Sequence, residues 1–273
     1  ALVIGSTVLL TMALLGVAPY LPAGIGSGVV LILVGLVAGI FGGALYAAIP
    51  GLMAAYADAN EVITTIMLNF IAVGVLFVLV DGPLKAPGVA SPRTLKFPEY
   101  ARFPALLTSS RSFSIVGLVV AILTVLVVYY FMTYTRWGYD LRTTGYQAAA
   151  SAYSGVDPKR TIVSTMMVSG MVAGLTGAVY VIMVVGYFED PSTFPTMGFD
   201  GIAVSLLAAN NPLGVVPAGL LFGGLAAAGQ YIDVNMTIPK ELVSGIIGLI
   251  VLFVATPELF RMAGQRLRRG GEE

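Results

Sequence analysis

The sequence predicts an all-α, polytopic helical membrane protein, and three observations carry that prediction. Charged residues make up 10% of the 273-residue chain and apolar ones 58%, whereas an average soluble domain is about a quarter charged. The charge is also segregated: eight apolar stretches hold 149 residues and a single charge, Asp200. Most of these stretches are apolar all round at about the 20 residues a bilayer demands. A soluble core helix would carry charge on its outer face, and these do not.

The elements follow in order. Residues 1–18 are apolar from Ala1 and lack the basic segment of a secretory signal, so they read as a helix. The chain opens without Met, and further N-terminal helices are expected ahead of it. Stretches 28–49 and 62–80 are spans. Residues 81–112, with Pro83, Pro87, Pro92, Pro98 and Pro104, form a loop. Span 113–132 leads into a polar loop, 133–160, and span 161–186 follows. Stretch 199–209 rises only about 16 Å against a hydrocarbon core near 30 Å, so a half-helix or re-entrant piece is expected there. Stretch 213–229, which Pro217 should bend, and 242–257 complete about seven to eight membrane elements, one short or re-entrant. The whole chain, 1–273, reads as one transmembrane domain.

Orientation rests on Lys and Arg at the helix ends. The tail 261–273 carries Arg261, Arg266, Arg268 and Arg269 and reads as cytoplasmic. An even number of crossings separates it from loop 133–160, whose Arg136, Arg142, Lys159 and Arg160 agree with the same side. Loop 81–112 then falls outside by parity, against the pull of its own Lys85, Arg93, Lys96, Arg102 and Arg111.

Composition excludes several functions. Fourteen basic and fourteen acidic residues balance to zero, so nothing here grips nucleic acid electrostatically. The absence of Cys removes disulfides, thiolate metal sites and a cysteine nucleophile. The absence of His removes the commonest general base and metal ligand. A phosphate-cradling G-x-x-x-x-G-K-[ST] loop is missing, since the four lysines follow Leu, Leu, Pro and Pro. The chain cannot hydrolyse ATP by that route, and if transport is uphill a partner is expected to supply the energy.

Small and polar residues within the apolar stretches have distinct roles. Gly35, Gly39 and Gly43, Gly170 with Gly174, and Gly219 with Gly223 recur every four residues and are expected to pack helices closely. Glu61, Thr65 and Asn69 share one helix face, with Thr64 beside them. Asp200 opens the short element, which continues through Ser205 to Asn210 and Asn211. Two readings stand for these polar groups. They cap helices, Asn60 and Asp200 above all, or they line a solute pathway, since carboxylates in or at the rim of a bilayer are costly. No Lys or Arg lies inside an apolar stretch. An anionic solute would therefore meet no fixed counter-charge, whereas a neutral hydrogen-bonding solute such as a sugar or nucleoside fits. A voltage sensor is excluded by the same count.

Loop 133–160 holds the most specific pattern. Gln147 to Ser154 is rich in Ala and can form two helical turns, bounded by Gly145 and Gly155. Such a helix either enters another protein's groove or merely joins two spans. Thr135-Arg-Trp-Gly138, Gly145, Ala148-Ala-Ala150, Ser154-Gly-Val156 and Lys159 resemble the coupling loop of binding-protein-dependent ABC importer permeases, in the branch serving ribose, other simple sugars, nucleosides and branched-chain amino acids. The resemblance continues through 169–177 and 198–214. Asn60-Glu-Val-Ile-Thr-Thr-Ile-Met-Leu-Asn69 narrows it toward the nucleoside type.

The resemblance implies a permease subunit, not an enzyme, in a prokaryotic plasma membrane. It implies a second permease subunit, a cytoplasmic ABC ATPase carrying ATP and Mg, and an extracytoplasmic substrate-binding protein; this chain itself holds no cofactor. Transport would proceed by alternating access. Arg142, Gln147, Tyr153, Gly155 and Asp157 would form the ATPase contact. Thr65, Asn69, Phe199, Asp200 and Ser205 would lie near the solute path. Family members carry additional N-terminal helices, including a segment resembling N-x-G-x-E-G-Q, that this chain lacks. The rival readings are an ion-coupled secondary transporter using Glu61 and Asp200, a membrane enzyme without a nucleophile–base pair to serve it, and a structural subunit.

Overall fold

A computed structural model describes residues 25–86, 115–182 and 197–235, with isolated positions in 88–96, 186–187 and 242–249. Among the described residues the secondary structure is eight α-helices. They are α1 (Ile25–Ala57), α2 (Glu61–Asp81), α3 (Ile115–Tyr134), α4 (Arg136–Tyr146), α5 (Ala148–Tyr153), α6 (Pro158–Tyr180), α7 (Met197–Leu207) and α8 (Val215–Asn235). Four are long and apolar enough to cross a bilayer: Val30–Ala57, Glu61–Asp81, Gly117–Tyr134 and Pro158–Tyr180. The chain is a polytopic helical membrane protein. Expected spans 1–18 and 242–257, the tail 261–273 and most of loop 81–112 lie outside the described residues.

The helices start where local chemistry demands. The Asn60 side-chain oxygen accepts from the amides of Val62 and Ile63, at 3.0 and 3.3 Å, and opens α2 as expected. Asp157 does the same for α6 through Lys159 and Arg160, and Pro158 occupies the first turn, where its missing N–H costs nothing. Thr135 caps α4 by accepting from Gly138 N at 3.2 Å.

Two compact units make up the chain. One contains α1, α2, α4, α5, α6 and most of α3, and the other α7, α8 and residues 125–129. The first is organised by the contact between α1 and α6, which run antiparallel with their backbones touching. A Cβ at Gly43 would fall on the carbonyl oxygen of Gly170, one at Gly174 on that of Gly39, and one at Gly170 on the Ala47 methyl. One at Gly39 would stand 2.7 Å from the Ala178 methyl. The glycines expected to pack at 39, 43, 170 and 174 therefore pack against each other, and the close approach admits no side chain. Gly219 and Gly223 have open space around them among the described residues. α2 joins this pair through the Tyr46 hydroxyl, which donates to Leu68 O at 2.6 Å. Its buried stripe is Ala72, Leu76 and Val80. Leu33, Phe41 and Leu45 of α1 and Met67, Phe70 and Val78 of α2 are exposed, as faces solvated by lipid are.

Several boundaries differ from the sequence-based expectation. The first described span does not stop at Ile49 but runs through Pro50 to Ala57. Pro50 and Gly51 are buried, and a Cβ at Gly51 would stand 3.0 Å from Met166 Cβ. Packing on α6 thus holds the helix past the proline, whose freed carbonyl membrane helices tolerate. Pro217 is not a bend: it is the third residue of α8, where no intrahelical donor is lost. Asp200 is not an N-cap, because α7 begins at Met197 and places the carboxylate inside the first turn. It still faces the positive end of the helix dipole.

Candidate functional site

The described charged residues of the first unit gather at its two ends. Lys159 Nζ stands 5.2 Å from the Tyr56 ring, so the start of α6 meets the end of α1. α2 begins at this same end, and α4 and α5 lie there too. At the opposite end α2 passes into the 81–96 segment. There Ala86 N donates to Arg93 O at 2.8 Å, and Arg93 and Lys96 lie 5.8 and 5.9 Å from the Tyr187 ring beyond α6. The described basic residues of 81–96 and those of 133–160 therefore lie at opposite ends of this unit. Lys85 is also neutralised locally, by Asp81 at 2.7 Å.

The α4–α5 segment is a fastened reversal, not an open loop. Gly138 is buried, and a Cβ there would meet the carbonyls of Phe131 and Met132, so α4 folds tightly back on the end of α3. The Trp137 indole N–H donates to Ser164 Oγ at 3.0 Å and pins α4 to α6. Arg142 Nε donates to Gly138 O at 3.2 Å, leaving the rest of the guanidinium outward. The expected helix Gln147–Ser154 forms as α5, Ala148–Tyr153, and is shorter. Gly145 is not its stop signal; it lies within α4. The break is Gln147, whose extended backbone (φ −161°, ψ 107°) ends α4 and starts α5 together. Gly155 does terminate α5. At φ +82° it allows Val156 N to reach Ser151 O and Gly155 N to reach Ala152 O, both at 3.1 Å, which is the Schellman pattern.

Only one side chain of α5 is anchored. Ser151 is buried, donates to Ala148 O at 2.8 Å and lies 3.5 Å from the Thr144 hydroxyl. Tyr153 is 95% exposed and Tyr146 92%, and Gln147 and Gly155 are also exposed. Asp157 caps α6 and pairs with Arg160 at 3.1 Å. α5 is thus an alanine-rich helix held on one side, with the phenol of Tyr153 and that of Tyr146 at the end of α4 exposed. Because no atom of the described residues lies within 4 Å of a Cβ at Gly155, Gly155→Ala is expected to cost only the left-handed strain, about 1 kcal/mol. Amide exchange across 148–156 should quicken roughly five-fold while global melting stays unchanged.

The polar face of α2 begins at this end. Asp58, Asn60 and Glu61, with Ala54, Val62 and Ile162, line a shallow hollow of about 420 Å³. Thr64 is buried and donates to Asn60 O at 2.9 Å. Thr65 donates to Glu61 O and Val62 O at 2.8 and 3.0 Å, so its hydroxyl is engaged by its own helix. Asn69, one turn further in, is half-buried, and no hydrogen bond engages its amide among the described residues.

The other expected pathway residues belong to the second unit. Phe199 and Asp200 are exposed in the first turn of α7. Ser205 donates to Asn210 Oδ1 at 2.9 Å, and Asn211 Oδ1 accepts from Leu213 N at 3.0 Å. These bonds and the left-handed Ala209 and Asn210 (φ 50° and 57°) build the tight turn between α7 and α8. The structure thus joins Thr65 with Asn69 and Ser205 with Asn210, each set within its own unit. The sequence gives no sign that Trp137 and Ser164 meet. The lone Trp beside Gly138 is the available signal, but nothing local names its partner. Among the described residues no group of three potential metal ligands occurs.

The family model described as branched-chain amino acid transport system / permease component matches residues 1–255. The guanosine ABC transporter permease NupP of Bacillus subtilis is 31% identical over 84% of this chain and 66% of its own length. The nucleoside ABC transporter permease NupB of Lactococcus lactis is 32% identical over 82% of this chain and 62% of its own. The glucose ABC transporter permease TsgB13 of Haloferax volcanii is 30% identical over 80% and 60%. The chain thus spans 60 to 66% of the length of these relatives. No solved structure matches it.

Proposed function

The chain belongs to the branched-chain amino acid transport system permease component family, and on that ground we propose that it is the membrane-spanning subunit of a nucleoside ABC importer. The observation that carries the coupling role is the α4–α5 segment: α5 is a short alanine-rich helix anchored by Ser151 with Tyr153 exposed, and α4, which ends at the exposed Tyr146, is fastened to α6 through Trp137. A cytoplasmic ABC ATPase, holding ATP and Mg, docks on Arg142, Gln147, Tyr153, Gly155 and Asp157. This puts α5 on the cytoplasmic face of a prokaryotic plasma membrane and the 81–96 segment on the outer face, toward a substrate-binding protein. A second permease subunit completes the pathway.

The solute is neutral and is bound by hydrogen bonds near Thr65, Asn69, Phe199, Asp200 and Ser205. The Asn69 side-chain amide, which has no hydrogen bond among the described residues, supports this, as does the absence of Lys and Arg from the apolar stretches. ATP-driven closure of the ATPase moves α5, and the permease pair rocks between outward and inward openings. The chain breaks no covalent bond.

ATP-dependent uptake by the reconstituted complex, with unlabelled competitors, tests the reading. Adenosine and uridine at 100 times their Kd should suppress labelled nucleoside uptake about 100-fold, while phosphate and dicarboxylates leave it unchanged. A glucose permease is among the relatives. Competition by ribose or glucose with none from nucleosides would move the assignment to sugars, and collapse with the ion gradient instead of with ATP would make the protein a secondary transporter.

A further inference from the structure

We infer that Trp137 is a positioning residue that carries movement of the α4–α5 segment into the membrane helices through its bond to Ser164. The inference rests on the importer reading above. Among the described residues, Trp137 Nε1 to Ser164 Oγ, at 3.0 Å, is the one side-chain hydrogen bond between α4 and α6. Covalently, α5 reaches α6 only across residues 154–157, where Gly155 takes the left-handed backbone and has open space around it among the described residues. The indole bond closes that arm into a triangle of α4, α5 and the second turn of α6.

Both partners are satisfied by the arrangement. The indole N–H has a donor role only, and the Ser164 hydroxyl accepts from it while donating to Thr161 O at 3.0 Å. The base of the triangle is held too, since Gly138 abuts the carbonyls that end α3. From Ser164 the path continues without slack. Gly170 and Gly174 of α6 meet Gly39 and Gly43 of α1 backbone to backbone, and the Ala178 and Ala47 methyls close on Gly39 and Gly170, so α6 cannot shift without α1. A push on α5 thereby becomes a movement of two spanning helices instead of a swing about Gly155.

The test uses the assembled complex in proteoliposomes, measuring solute uptake and ATP hydrolysis together in Trp137→Phe, Ser164→Ala and Ser164→Thr. Trp137→Phe and Ser164→Ala should each lower uptake about ten-fold, the upper range for one hydrogen bond, with ATPase activity held within about two-fold. ATP consumed per solute then rises accordingly. Ser164→Thr keeps the hydroxyl and should restore the wild-type ratio, and the double variant should be no worse than either single. A purely structural role would lower melting temperature, uptake and hydrolysis together, and that result overturns the inference; so does normal uptake in Ser164→Ala. If Trp137→Phe fails to assemble, the smaller Ser164→Ala change decides. A wild-type complex without ATP-driven uptake removes the importer reading, and this inference with it, before any variant is compared.

Discussion

Replacing Gly43 by alanine is expected to destabilise the α1–α6 pair by about 3 kcal/mol, the upper end of what over-packing costs. The new methyl would fall on the carbonyl oxygen of Gly170 and 2.9 Å from the Gly174 Cα. Both are backbone atoms of a rigid helix, so no rotamer change relieves the clash and the helices must separate. Separation also opens the Gly39–Ala178 and Ala47–Gly170 contacts on either side. In lipid nothing repays that loss, because acyl chains are as apolar as the surfaces pulled apart. Gly74→Ala and Gly219→Ala serve as controls: neither Cβ meets an atom within 4 Å among the described residues. Each control should shift stability by less than about 1 kcal/mol. Thermal unfolding in detergent, followed by the emission of Trp137, the chain's single tryptophan, measures all three. Equal melting of Gly43→Ala and Gly74→Ala would refute the close-contact account.

Exchange of Gln147–Gly155 for a glycine–serine linker of equal length should abolish coupled transport. The linker keeps the chain's reach but removes the anchored Ser151, the free Tyr153 and the Gly155 turn together. Losing an aromatic anchor alone costs an interface upward of about 2 kcal/mol, and the whole segment goes here. Solute stimulation of ATP hydrolysis should disappear and uptake fall at least about 100-fold. The α1–α6 pair does not depend on the segment, so purified variant should still melt cooperatively near the wild-type temperature. Undiminished solute stimulation in the linker variant would remove the ATPase-docking role from α5.

What is legible in the sequence shares one property: it depends on neighbours a few residues away. Asn60 and Asp157 cap helices because their side chains reach amides two and three positions on. The alanine run of α5 and its stop at Gly155 follow from helix propensity and the left-handed region. Expectation and structure part where a distant contact decides. Pro50 ends no helix, since α1 runs on through Gly51, which packs on α6, and Pro217 bends none because α8 starts only two residues before it. Gly145 reads as a helix stop in isolation, yet Gln147 makes the break.

The candidate site divides the same way. Spacing by fours is enough to place Glu61, Thr65 and Asn69 on one helix face. Spacing does not say that the Thr65 hydroxyl is engaged by its own helix while the Asn69 side-chain amide has no hydrogen bond among the described residues. Nor does it say that Ser205 is engaged by Asn210.

The sequence by itself determined the solvent and the helical class, and it favours a neutral solute, because each follows from where charge is absent along the chain. It also determined that Gly39, Gly43, Gly170 and Gly174 would pack closely. Only the tertiary structure decided that they pack on one another, and that Gly219 and Gly223 meet nothing among the described residues. The same holds for the lone Trp137, whose bond to Ser164 spans 27 positions. A glycine spacing states that a backbone can be approached; which backbone approaches it depends on how the helices are arranged in three dimensions, and no local interaction encodes that.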